Sequence, residues 1–132
     1  MKLTRASSYA LHALVYIVAH KRDRPIPSHL VAKERGIPER FLLKVLKPLV
    51  SARVLMSVKG PNGGYRLARP ASAVSLLEVI EAVDGPILGQ SPLNDDQRNS
   101  ALDRKLQNVC QQSADMMRRQ LERVHLSDLA SR

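Results

Sequence analysis

A mainly α-helical fold with one small β-hairpin is predicted by three observations. Apolar residues recur at three- and four-residue steps through most of the chain, as they do on helices with one buried face. One dense glycine cluster, Gly60-Pro61-Asn62-Gly63-Gly64, separates a short alternating run from a return run, the pattern of a hairpin. The final third then reads as a single long amphipathic helix.

The elements follow in order. Residues 3–20 form a first helix, with Ala6, Tyr9, Ala10, Ala13, Leu14 and Ile17 on its apolar face. Pro25 and Pro27 break it by withholding backbone donors. Ser28 is the expected N-cap of a short second helix ending near Arg35, and Gly36 stands where a helix end favours a left-handed residue. Pro38 and Glu39 open a third helix, to about Ala52, because proline and a carboxylate both suit a first turn. Its expected buried stripe is Phe41, Leu42, Val45, Leu46 and Leu49, with Arg40, Lys44 and Lys47 opposite. Pro48 is expected to kink that helix or end it early. Short helix, glycine turn and second helix together make a helix-turn-helix.

Val54–Lys59 and Tyr65–Arg69 read as the two strands of a hairpin, and a basic-flanked hairpin directly after a helix-turn-helix is a wing. Ser75 and Glu78 form a capping box before Leu76, Leu77, Ile80 and Val83, and Gly85-Pro86 stops that helix. Residues 97–124 are the long helix, with Leu102, Leu106, Val109, Cys110, Met116, Met117, Leu121 and Val124 taken as one stripe. At 1.5 Å per residue it would be about 42 Å long, more than so small a domain can cover. A second copy of the same helix is the simplest partner. A last turn capped by Ser127 is expected after it. The expected organisation is therefore a winged helix-turn-helix over 1–86, a loop over 87–96, and a dimerisation helix with tail over 97–132.

Composition limits the function. The 132 residues suit one compact domain plus an extra element, and 44% hydrophobic with 3% aromatic residues means a largely aliphatic core. No run approaches the roughly 18 apolar residues of a membrane span, and MKLTRASSYA lacks a signal-peptide pattern, so a cytoplasmic protein is the expectation. The net charge of +9 is unevenly placed. Residues 1–70 hold 14 Lys/Arg and 3 Asp/Glu, against 7 and 9 in residues 71–132. A basic half attracts a polyanion, although such charge also serves solubility. An anionic membrane is the weaker option, since the basic residues form no single amphipathic stripe.

Arg40 and Lys44 lie near the start of the third helix, where a major-groove helix meets base edges. Leu43 beside them either touches a thymine methyl or packs under the wing. Lys59, Arg66 and Arg69 flank a thin hairpin suited to a narrow minor groove. Ser28 at a helix start, with Arg5, Ser7, Ser8 and Tyr9, offers either phosphate contacts or plain capping and surface roles. The wing glycines are no nucleotide loop, because no GKS or GKT and no helix follow. His12, His20, His29 and His125 show no metal-ligand spacing, and no catalytic arrangement is present, so no metal and no enzyme is expected.

MKLTRASSYALHAL, GIPERFLLKVLKPL, SVKGPNGGYRLARP and SLLEVIEAVDGP resemble the winged-helix family often called Rrf-two, strongly over 1–86 and again at HLSDLA. That resemblance implies a homodimer held by the long helix on a near-palindromic operator of double-stranded DNA. It implies that Arg40 and Lys44 read the major groove and that Lys59 through Tyr65 supply the wing contacts. The candidate DNA contacts are thus Ser28, Pro38, Glu39, Arg40, Lys44, Lys59, Gly60, Pro61, Asn62, Gly63, Gly64 and Tyr65. The candidate dimer contacts are Leu102, Leu106, Val109, Cys110, Met116, Met117 and Leu121.

Cluster-binding members of that family carry three cysteines in the segment matching the loop and the start of the long helix. The matching positions here are Pro92, Arg98 and Arg104, none a usual cluster ligand. Ser8 and His12 stand near the place from which a partner's first helix supplies a further ligand, but with Cys110 they make an incomplete set. No cofactor is expected. Arg53 replaces the glycine usual before the wing. The expected function is a cluster-free transcription regulator acting as a repressor. The alternatives are a regulator switched through Cys110 or a small effector, and one acting through a protein partner.

Overall fold

The computed structural model describes residues 1–20, 24–92 and 101–130. Positions 97–100 of the expected long helix, the end of the expected loop, and Arg98 lie outside them. The described elements are α1 (Arg5–Ala19), α2 (Ser28–Arg35), α3 (Glu39–Ser51), β1 (Leu55–Val58), β2 (Gly64–Leu67), a 3-10 turn (Ala71–Ala73), α4 (Leu76–Asp84), α5 (Ala101–Glu122) and α6 (Leu126–Ala130). The mainly helical fold with one hairpin is as the sequence predicts.

Local chemistry explains most boundaries. Thr4 caps α1 by accepting from the Ser7 amide at 3.0 Å. The Thr4 and Ser7 hydroxyls also donate to the Asp84 carboxylate at 2.7–2.9 Å, which ties the start of α1 to the end of α4. Ser7 is therefore buried and already partnered, and it is no phosphate anchor. Ser28 is not the cap expected of it. Pro27 occupies that position, and Ser28 is the first helical residue. Gly36 closes α2 in the left-handed region at φ +63°, and the Ile37 amide reaches back to the Ala32 carbonyl at 2.9 Å.

Two departures occur in α3. Pro48 does not end the helix, which continues to Ser51. Proline at this late position forfeits only one internal bond. Phe41 is 50% exposed and lies outside the buried stripe of Leu42, Val45, Leu46 and Leu49. At about 100° per residue it falls to one side of that stripe. The helix ends like α2, with the Val54 amide donating to the Leu49 carbonyl at 3.0 Å. Here the left-handed position is Arg53, at φ +60°, the one non-glycine residue with positive φ among those described. An L side chain there carries a backbone cost of about 1–2 kcal/mol that glycine avoids.

The antiparallel hairpin pairs Leu55 with Leu67 and Ser57 with Tyr65. Tyr65 and Ile26 exchange backbone bonds at 2.8 and 2.9 Å, which fastens the wing to the segment leading into α2. The capping box of Ser75 and Glu78 is present. Arg69, expected as free charge on the wing, instead bonds Glu78 at 3.1 Å and the carbonyls of Arg53 and Ala73. Its charge is spent at the wing's base.

The main core joins α1, α2 and α3 to the hairpin around Leu14, Leu42, Leu46, Leu49 and Val54. Leu126 of α6 is fully buried in the same core. The Leu126 amide bonds the Val74 carbonyl at 3.0 Å, so the C-terminal end returns to the body formed by the first half. Its cap is not Ser127: the Asp128 carboxylate accepts from the His125 amide at 2.9 Å.

Candidate nucleic-acid interface

Along α3, Arg40, Lys44 and Lys47 are exposed on the face opposite the buried stripe. The Lys44 ammonium lies 5.7 Å from the centre of the Phe41 ring. None of these three cations is in an ion pair among the described residues; those pairs are Arg69–Glu78, Arg118–Glu81 and His125–Asp128. Glu39 is exposed, and its carboxylate accepts from the Ser28 hydroxyl at 3.2 Å. Two expected DNA contacts thus hold each other across the helix-turn-helix. Pro38 is exposed at the cap of α3. Leu43 is 44% exposed and lies outside the buried core of α3.

The wing tip is built by its glycines. Gly60-Pro61-Asn62-Gly63 is a turn closed by a 2.9 Å bond from the Gly63 amide to the Gly60 carbonyl, with proline at the position whose φ it presets. A Cβ on Gly63 would overlap the Val58 carbonyl and lie 2.9 Å from the Gly60 oxygen. A Cβ on Gly64 would lie 2.5 Å from the Ile26 carbonyl carbon and 2.7 Å from the Pro27 nitrogen. Lys59, Pro61 and Asn62 are exposed at the tip, and Tyr65 is half-buried beneath it. Ser28 and His29 line one depression together with Lys59, Gly60, Gly63 and Gly64. The start of α2 and the wing tip therefore border one concave surface.

The expected dimer residues divide into two faces. Ala114 and Leu121 are buried, Cys110 and Met117 half-buried, and this face packs inward. Leu121 and Met117 join a second cluster with Leu77, Ile80 and Ile87. Gly89 is buried against the helix, where a Cβ would lie 2.5 Å from the Gln111 Cα. The Gln107 amide clamps the same strap by donating to the Gly89 carbonyl at 2.7 Å and accepting from the Ser91 amide at 2.9 Å. The Arg118–Glu81 ion pair adds a further tie. The other face stays uncovered: Leu102 is 63%, Leu106 43%, Val109 58% and Met116 65% exposed. These four recur at four-, three- and seven-residue steps, about 100° around the helix from the inward face. The single stripe expected from the sequence is thus two adjacent faces of one helix.

Among the described residues no three His, Cys, Asp or Glu side chains come together as metal ligands. Cys110 is the only cysteine of the chain, and Pro92 and Arg104 carry no ligand atom suited to a cluster. No helix among the described residues is long and apolar enough to cross a membrane.

A family model described as Rrf2, iron-dependent transcriptional regulator, matches residues 3–132. Protein aau3 of Rhizobium meliloti (strain 1021) is 39% identical over 85 residues, 64% of this chain and 54% of that protein. The HTH-type transcriptional regulator IscR of Vibrio campbellii is 36% identical over 84 residues, 64% of this chain and 50% of that protein. The chain's match thus spans about half the length of these curated relatives. Among solved structures, CymR, the global cysteine regulator of B. subtilis, superposes with a TM-score of 0.78 at 22% identity, covering 98% of this chain and 96% of that one. That likeness shows the winged-helix fold.

Proposed function

The chain belongs to the Rrf2 family of transcriptional regulators, and from that premise we propose that it is a sequence-specific DNA-binding regulator acting as a homodimer. The observation that carries this reading is the line of exposed cations on α3, in no ion pair among the described residues, beside a glycine-built wing. A helix of this kind fits the major groove, where Arg40 and Lys44 near its start meet base edges. Lys59 and the backbone of Gly60 through Gly64 then meet the flanking sugar-phosphate. Ser28 borders the depression at the wing tip, Pro38 stands exposed at the start of α3, and Glu39 positions Ser28. The uncovered face of α5 supplies the contact with a second copy. Repression is the simplest output of such a dimer, which needs only to occupy its operator.

Selection of bound fragments from the host genome, followed by titration at several salt concentrations, tests this. Specific binding is expected to weaken about 10³- to 10⁵-fold between 50 and 200 mM salt, the loss produced by roughly six to ten phosphate contacts. Uniformly weak binding to every sequence would refute the reading.

We further infer that the protein works without an iron–sulfur cluster, although its family is described as iron-dependent. A single thiol on the inward side of α5 does not fit a site that several thiolates must hold. Anaerobic incubation with ferrous iron and sulfide is expected to leave no visible chromophore on the protein and to leave operator affinity unchanged. A bound chromophore that alters affinity would reverse this conclusion.

A further inference from the structure

We propose that α3 reads thymine directly, through the apolar side chains of Leu43 and Phe41; this rests on the DNA-binding reading above. Both side chains belong to the first half of α3, and both are about half exposed. They are not strays from the core, which Leu42, Val45, Leu46 and Leu49 complete without them. At about 100° per residue, Leu43 and Phe41 stand on opposite flanks of the line formed by Arg40 and Lys44. Two apolar groups therefore bracket the cations that would enter the groove.

The major groove presents one apolar group, the C5-methyl of thymine. Exposed Leu and Phe side chains on a helix lodged there have that methyl as their complementary partner. The charge pattern favours DNA over a protein surface. From Arg40 to Lys47 every exposed charged residue is a cation, and the nearby Glu39 is already engaged by Ser28. Phe41 also carries the Lys44 ammonium over its ring, so apolar contact and positive charge are delivered together.

Uracil tests the idea, because it keeps the hydrogen-bonding edge of thymine and lacks only the methyl. A genome-selected operator would be synthesised with deoxyuridine replacing thymidine at one position at a time in each half-site. At contacted positions the wild-type protein is expected to bind about fourfold more weakly for each methyl removed, the value of burying one CH₂ group. Leu43→Ala and Phe41→Ala are each expected to weaken binding to the thymine operator. Each should also become indifferent to uracil at the position its side chain touches. Equal wild-type affinity for thymine and uracil operators would overturn the proposal while leaving DNA binding intact. So would variants that weaken both operators by the same factor, since that is the mark of a merely structural role. A wild-type protein that selects no sequence at all would instead remove the regulator reading itself, and this inference with it.

Discussion

A protein carrying Leu106→Glu and Val109→Glu is expected to run as a monomer and to bind a full operator at least about a hundredfold more weakly. Both side chains are uncovered on α5, so the changes remove nothing from the core. Glutamate is also a good helix former. In the proposed dimer, however, four carboxylates would be buried against one another without partners, which no apolar interface tolerates. The affinity loss follows from valency. When two linked heads bind one duplex, the second contact is intramolecular, and losing it forfeits about 10²- to 10⁴-fold. Light scattering and gel shift on the same sample would check both halves of the prediction. A double variant that stays dimeric and binds normally would place the subunit contact elsewhere.

The largest stability effect is expected from Gly64→Ala, at about 2–4 kcal/mol. Gly64 has φ +154°, and its absent Cβ is the space filled by the Ile26–Pro27 backbone. An alanine there must push apart main chain, which cannot move aside as the end of a flexible side chain can. It also adds backbone strain. The displaced contact is the bridge between Ile26 and Tyr65 that seats the wing beside α2. Denaturant unfolding measures the cost. Gly60→Ala is the control, because φ +110° strains it while open space surrounds it, so its cost should be smaller. Equal costs at the two glycines would mean that the close approach to Ile26 contributes nothing.

Where a local rule decides the structure, the sequence was sufficient. Gly36 ends α2 because only a left-handed residue closes that turn, and Ser75 with Glu78 starts α4 by reciprocal hydrogen bonds. The glycines of the wing mark its turn in the same way. The sequence is silent where partners far along the chain decide. Nothing local marks Ser7 as buried, because Asp84, which holds its hydroxyl, is 77 residues away. Arg69 looked like wing charge, but Glu78 and two carbonyls claim it. Phe41 stands four residues before Val45 and so joins the expected stripe by spacing, yet its angular position on α3 lies beyond the stripe. Periodicity also could not divide the α5 residues, because two adjacent apolar faces on one helix blur into a single broad one. Arg53 was legible as a departure from a glycine, and its left-handed backbone is the physical meaning of that departure.

The anchoring of α5 has a consequence for the DNA rather than for the protein. Gln107 and Arg118 pin the helix along its length, and beyond its end the chain is stitched to Val74 and Leu76. In the proposed dimer, these ties would hold each reading head at a set angle to the joint. Such a dimer would work as a fixed gauge. Inserting one base pair between half-sites turns one of them by about a tenth of a helical revolution. In the proposed dimer, the ties just named would resist such a turn, so the duplex itself would have to twist, or one head would have to let go.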